Sequence, residues 1–143
     1  MNKQVFLIKS DTDYAMRMLV YLALNEEPGP VPAGVLVESQ DVPVDFAYKI
    51  LQKLCRAKIL NSYKGVNGGF ILMKSPEQIS LSDVIEAVQG RIVIRPCLLN
   101  DKNCSTDKPC PVSMRLQKLQ DTLDREMSEI TLAKIISVKR NIC

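Results

Sequence analysis

Three cysteines within fourteen residues, Cys97, Cys104 and Cys110, limit how this chain can fold more than any other feature. The residues between them (Asn100, Asp101, Lys102 and Asn103, then Ser105, Thr106, Asp107, Lys108 and Pro109) are polar and rich in helix and strand breakers. Such a run builds neither a hydrophobic strand nor a long helix, so the thiols stand on a loop. A loop can wrap three sulfurs around one point, and three converging thiolates form a soft site suited to an iron–sulfur cluster or to zinc. The alternative is a disulfide with a spare thiol, or inert surface cysteines; the odd cysteine argues against a disulfide framework. Of the two remaining cysteines, Cys55 lies in an apolar-rich helix and reads as a small core residue, and Cys143 is the last residue and has no assigned role.

The rest of the sequence bounds the setting. The N-terminus has one basic residue before a short apolar run and then turns acidic, without the long apolar core and cleavage site of a signal peptide. No apolar run approaches the roughly 20 residues that a membrane span needs. Both features point to a cytoplasmic protein with no membrane partner, where cysteines stay reduced and free for metal chemistry. The chain has no histidine, so a Cys–His or Ser–His nucleophile pair cannot form and the protein is not expected to be an enzyme. Net charge is only +3, but residues 43–75 hold six bases (Lys49, Lys53, Arg56, Lys58, Lys64, Lys74) against the single acid Asp45. A locally basic segment in a nearly neutral chain is the footprint of a nucleic-acid-binding face, with a solvated helix face as the bland alternative.

Taken in order, residues 10–24 predict a nearly all-apolar core helix, with Ser10 and Asp13 as a capping-box-like start and Asn25 to Pro30 as its stop. Residues 32–40 predict a short second helix, and a third runs from about Pro43, in its first turn, to Ala57. In the third helix Phe46, Ala47, Ile50, Leu51 and Leu54 form the inward stripe, while Tyr48, Lys49, Gln52, Lys53 and Arg56 fall on other faces. Two short helices joined by a tight turn, the second basic outside, describe a helix-turn-helix. Ile59–Tyr63 and Phe70–Met73 predict two strands around Gly65, Asn67, Gly68 and Gly69, a β-hairpin with Lys64 and Asn67 at its tip. A hairpin directly after such a helix reads as a wing that contacts phosphates or enters a minor groove.

Residues 80–89 predict another amphipathic helix, with Leu81, Val84, Ile85 and Val88 inward and Ser82 as its cap, ending at Gly90. The alternating run Arg91–Arg95 leads into the cysteine loop. Pro111 then opens the longest helix, with Val112, Leu116, Leu119, Leu123, Met127 and Ile130 recurring at spacings of three and four. This coiled-coil-like seam predicts pairing with a second copy, although packing on its own domain would also use it. Thr131–Val138 is a last apolar segment for the partner or the core. The fold class is therefore mainly α with a small β-hairpin. It comprises a winged helix-turn-helix over residues 1–90, a cysteine cluster-binding loop over 91–110, and a C-terminal dimerisation helix and tail over 111–143.

The segments TDYAMRMLVYLAL, GPVPAGVLVESQDVP, KGVNGGFIL, ISLSDVIEAVQG and SEITLAKI, together with the three-cysteine loop, span nearly the whole chain. In this constellation the sequence resembles the bacterial Rrf-two family of winged-helix transcription regulators. The resemblance implies a homodimer that binds a pseudo-palindromic double-stranded DNA operator. It also implies a 4Fe–4S or 2Fe–2S cluster lying between the cysteine loop and the partner's N-terminal region. IscR-like members place a histidine three residues after the last cysteine, where this chain has Ser113. NsrR-like members use an aspartate at the start of the first helix, donated by the other subunit, and the matching residue is Asp13. The ligand set implied is thus Cys97, Cys104, Cys110 and Asp13. Asp13 also suits the positive end of its helix, and Asp11, an external thiol or water are the other candidates.

The function expected is a repressor whose operator binding is gated by the cluster in response to iron, redox state or nitric oxide. Tyr48, Lys49, Gln52 and Lys53 would meet bases or phosphates in the major groove, while Arg56, Lys64 and Asn67 hold the backbone and the adjacent minor groove. Zinc on the same ligands, or direct thiol oxidation, gives an alternative redox-sensing regulator. An electron-transfer or cluster-scaffold protein would explain the thiols but leave the basic helix, wing and long helix without a purpose.

Overall fold

The structure is a computed structural model that describes residues 3–25, 29–98 and 110–142. Its centre is helix α1 (Ser10–Leu24), buried at Thr12, Ala15, Met18, Leu19 and Leu22. With Arg17 the only charged side chain after its first turn, this helix has few polar groups to keep in water. The next three helices, the last helix and the second hairpin strand close around it, while the fifth helix packs on the fourth. Its start differs from the sequence expectation. Ser10 does not cap; Lys9 occupies the N-cap in extended conformation without a side-chain bond. The acceptor comes instead from Gln89, far along the chain. Its Oε1 accepts from the Lys9 amide at 2.9 Å and from Thr12 Oγ1 at 2.7 Å, while its Nε2 donates to Leu7 O at 2.9 Å. A tertiary partner has replaced the local cap, which sequence spacing alone does not reveal.

Helices α2 (Ala33–Gln40) and α3 (Val44–Arg56) form the expected pair, joined through Asp41 in the left-handed conformation at φ 51°. Pro43 is the N-cap of α3, one position earlier than the sequence places it, and its carbonyl accepts from the Ala47 amide. The hairpin follows as β1 (Leu60–Tyr63) and β2 (Gly69–Leu72), antiparallel with Leu60 opposite Leu72 and Tyr63 opposite Gly69. It gains a third partner from the segment before α2: Val31 and Phe70 exchange two backbone hydrogen bonds at 3.0 and 2.8 Å. The wing is thereby tied to the helix-turn-helix rather than only to its own turn.

Helix α4 (Leu81–Val88) buries Val84, Ile85 and Val88. Its cap is Ser80, not Ser82. Ser80 Oγ accepts from the Asp83 amide and Asp83 Oδ2 accepts from the Ser80 amide, a capping box whose cap sits two residues earlier than predicted. Helix α5 (Pro111–Glu129) opens on Pro111 as expected, with Cys110 as its N-cap. The predicted seam divides along its length. Leu123 and Met127 pack on Ile85 and Ile92 of the same chain, whereas Val112 and Leu119 remain exposed, as does Met114 outside the seam. Helix α6 (Leu132–Ile142) returns Leu132 and Ile136 to the main core beside α1, so the last apolar segment belongs to its own domain. A short antiparallel bridge between Ser80 and Thr131 holds that return in place.

Candidate nucleic-acid interface and cysteine site

Helix α3 is amphipathic in the sense its spacing predicts, and its buried face is Ala47, Ile50, Leu51 and Leu54. Phe46 is the exception. It stands 48 % exposed at the start of α3, where its ring meets Tyr14 of α1 at 6.5 Å between centroids. The first turn of α3 overhangs the outer side of α1, so Phe46 covers a seam instead of entering the core. Opposite the buried face, Tyr48, Lys49, Gln52 and Arg56 are exposed. Lys64 and Asn67 are exposed on the wing turn, on either side of a fully exposed Val66. Gly65, at φ 105°, makes the turn there.

Lys53 departs from its predicted place. It is half-buried, and its Nζ donates to the Val88 carbonyl at 3.0 Å, satisfying the C-terminal end of α4. A cation belongs at that end of a helix dipole, so the ammonium is committed inside the domain. Six of the seven residues predicted to meet DNA thus lie on one exposed face or on the wing, and Lys53 joins α3 to α4. Among the described residues the ion pairs are Arg17–Asp13 and Arg91–Asp124, which leaves Lys49, Arg56 and Lys64 without internal counter-ions.

Asp13 is exposed on the first turn of α1, beside an open apolar groove formed with Phe6, Ile8, Lys9 and Ser10. Its partner is Arg17, at 3.2 Å. Arg17 also donates from Nη1 to the Gln40 carbonyl at the end of α2 and lies 4.9 Å over the Tyr14 ring. A single guanidinium therefore connects Asp13 to the turn of the helix-turn-helix. This role was not legible in the sequence, where Arg17 is only the one charge of an apolar helix.

The chain approaches the cysteine loop along α5. The buried Gln120 accepts from the Ile94 amide at 2.8 Å and donates to the Ile92 carbonyl at 3.0 Å and to Asp124 Oδ1 at 2.9 Å. Arg91 pairs with Asp124 at 2.8 Å on the outside of the same seam. A single 3₁₀ turn, Pro96–Leu98, then brings Cys97 against α5. Cys97 and Cys110 are half-buried free thiols, and Cys110 sits at the positive end of the α5 dipole with no capping bond from its side chain. Cys104 lies outside the described residues, as does Cys143. Among the described residues no three acidic or cysteine side chains converge on one point, so a single chain does not bring Asp13 together with Cys97 and Cys110. Cys55 is half-buried against the core, and its burial pushes the thiol pKa up despite an opposing hydrogen bond from Ser62. A protonated thiol packed against the core fits the packing role.

Comparison with known proteins follows the same lines. The model of the Rrf2 family, described as iron-dependent transcriptional regulators, matches residues 8–138. An HTH-type transcriptional regulator of Aquifex aeolicus is 31% identical over 136 residues, covering 93% of this chain and 94% of that protein. The HTH-type transcriptional regulator IscR of Escherichia coli (O1:K1 / APEC) is 27% identical over 124 residues, covering 87% of this chain and 76% of IscR. The solved structure of CymR, the global cysteine regulator of B. subtilis, superposes with a TM-score of 0.75 at 19% identity, covering 96% of this chain and 98% of that one. It shares the winged helix-turn-helix fold.

Proposed function

Because this chain belongs to the Rrf2 family of transcriptional regulators, a non-enzyme family, we propose that it is a homodimeric repressor of a pseudo-palindromic DNA operator, gated by an iron–sulfur cluster. The observation that carries the DNA reading is the outer face of α3, where Tyr48, Lys49 and Gln52 stand exposed and Lys49 has no internal ion-pair partner among the described residues. Gln52 offers an amide that can read an adenine edge, Tyr48 a hydroxyl and a ring, and Lys49 a phosphate contact. Arg56 and the wing residues Lys64 and Asn67 extend that face toward the flanking backbone.

The residues present fit a cluster. Cys97, in a turn packed on α5, and Cys110, the N-cap of α5, are half-buried free thiols, Cys104 lies between them in sequence, and Asp13 has only a surface ion pair to give up. Three thiolates from one chain and Asp13 from its partner complete a four-donor set. When bound, the cluster supplies a redox-sensitive iron site whose carboxylate-held iron is open to small molecules. Arg17 is the residue that registers what Asp13 does. With Asp13 as counter-ion it is held over Tyr14 and on the Gln40 carbonyl; without it, the tie between α1 and the helix-turn-helix turn weakens. A change of a few kcal/mol between two such arrangements is enough to switch operator occupancy.

The test is an anaerobic visible spectrum of freshly purified protein with iron and zinc measured on the same sample. Brown, iron-loaded protein is expected, with colour lost in Cys104→Ala and held more weakly in Asp13→Ala. Colourless protein with zinc would replace the cluster by a structural or thiol-sensing zinc site on the same ligands.

The two lysines of α3 give a second expected result. Lys49→Ala should weaken operator binding and lower the salt slope by about 1.8, since each of the two subunits loses one phosphate contact and each contact adds about 0.9. Lys53→Met should leave the salt slope unchanged and lower stability by about 1 kcal/mol through loss of the α4 end contact. Salt-titrated gel-shifts and denaturant unfolding of both variants measure this. A shallower salt slope in Lys53→Met would return that residue to the DNA face.

A further inference from the structure

We infer that Gln120 is a positioning residue for the cysteine site, fixing the path by which the chain enters Cys97. The inference rests on the reading of the cysteine loop as a metal site. Gln120 is 1 % exposed in the middle of α5, on a helix whose other buried residue is Met127. A buried amide in an amphipathic helix is costly unless its groups are paired, and here both amide hydrogens and the carbonyl oxygen find partners. Two of those partners are backbone groups of Ile92 and Ile94, so the side chain acts as a template that lays residues 92–94 along α5. The third is Asp124, which Arg91 holds from outside.

The consequence is geometric. Cys97 lies three residues beyond the templated segment, in a turn packed on α5, and Cys110 is the N-cap of that same helix. Both ends of the cysteine loop are therefore referenced to one rigid rod, and Gln120 fixes the end that the helix itself does not. Groups that orient metal ligands in this way govern affinity without touching the metal.

Gln120→Met keeps the length and fills the space while removing all three hydrogen bonds. Reduced, metal-free protein is titrated with cobalt(II), read by thiolate-to-cobalt absorption, and separately alkylated with mass-spectrometric mapping of Cys97 and Cys55. The variant should bind cobalt about 10- to 100-fold more weakly. It should also alkylate faster at Cys97, with Cys55, half-buried against the main core and remote from α5, unchanged. Should Gln120→Met fold poorly, Arg91→Ala is an exposed change that loosens the same seam. It should move both readouts in the same direction by about two- to fivefold. Cobalt affinity and a Cys97 rate equal to those of the natural chain would overturn the inference alone, as would a parallel acceleration of Cys97 and Cys55, which marks general destabilisation. If the natural chain takes no cobalt into its thiols, the metal-site reading falls and the inference falls with it.

Discussion

Gly69→Ala is expected to lower the stability of this protein by about 3–5 kcal/mol and to abolish high-affinity operator binding. Gly69 begins β2 at φ 156°, in a region that L side chains rarely adopt, and a β-carbon there would stand 2.3 Å from the Val31 carbonyl oxygen. Its other near neighbours, the Val31 carbonyl carbon and the Pro32 nitrogen, are also backbone atoms, so no side chain can swing aside. Relief requires parting the Val31–Phe70 pairing that anchors the wing to the helix-turn-helix. Gly34→Ala provides the contrast. It lies in the first turn of α2 with open space at its β-carbon, so alanine should stabilise by roughly 0.5 kcal/mol. Denaturant unfolding of the two variants side by side measures the difference. A Gly69→Ala protein that unfolds with the natural chain would mean that the Val31 segment does not close on the hairpin as described.

How much of this could be read beforehand follows from which interactions are local. The periodicity of Ala47, Ile50, Leu51 and Leu54 placed α3 and its exposed face within a residue of the structure, because a helix face is a property of spacing. The glycines at 65, 68 and 69 located the hairpin for the same reason. What failed were positions whose partners are distant. Ser10 carries a good local capping signal, yet Gln89, just past the end of α4, supplies the acceptor. Phe46 has the right spacing for the core but meets the edge of α1. Lys53 looks like its neighbour Lys49 until the end of α4 is placed beside it. Gln120 and Arg17 gave no signal, since a glutamine beside an apolar seam and a lone arginine in a core helix read as ordinary polar positions. The cysteine spacing pointed to soft-ligand chemistry without fixing which donor completes the set, because that donor would come from another chain.

The division of the α5 seam leads to the other large expected effect. Leu123 and Met127 are used inside the chain against Ile85 and Ile92, and truncating Met127 to alanine should cost about 2–3 kcal/mol of stability. Val112 and Leu119 are 60 and 56 % exposed, seven residues apart on one stripe, with Met114 exposed nearby. In the proposed dimer this stripe meets its counterpart on a second copy, and two reading heads held at fixed spacing give the operator its affinity. Charging it in the double variant Val112→Glu, Leu119→Glu should therefore leave each chain folded, since neither side chain supports the chain's own core, and lower thermal stability only by the share that association supplies. The same variant should sediment as a monomer and bind the operator about 100-fold or more weakly, the loss expected when two linked contacts become one. Sedimentation velocity and gel-shifts on one preparation report both quantities. A double variant that stays dimeric would place the interface elsewhere on the molecule. One that turns monomeric yet keeps full operator affinity would remove the need for paired reading heads, and with it the route by which Asp13 of one chain serves the cysteines of the other.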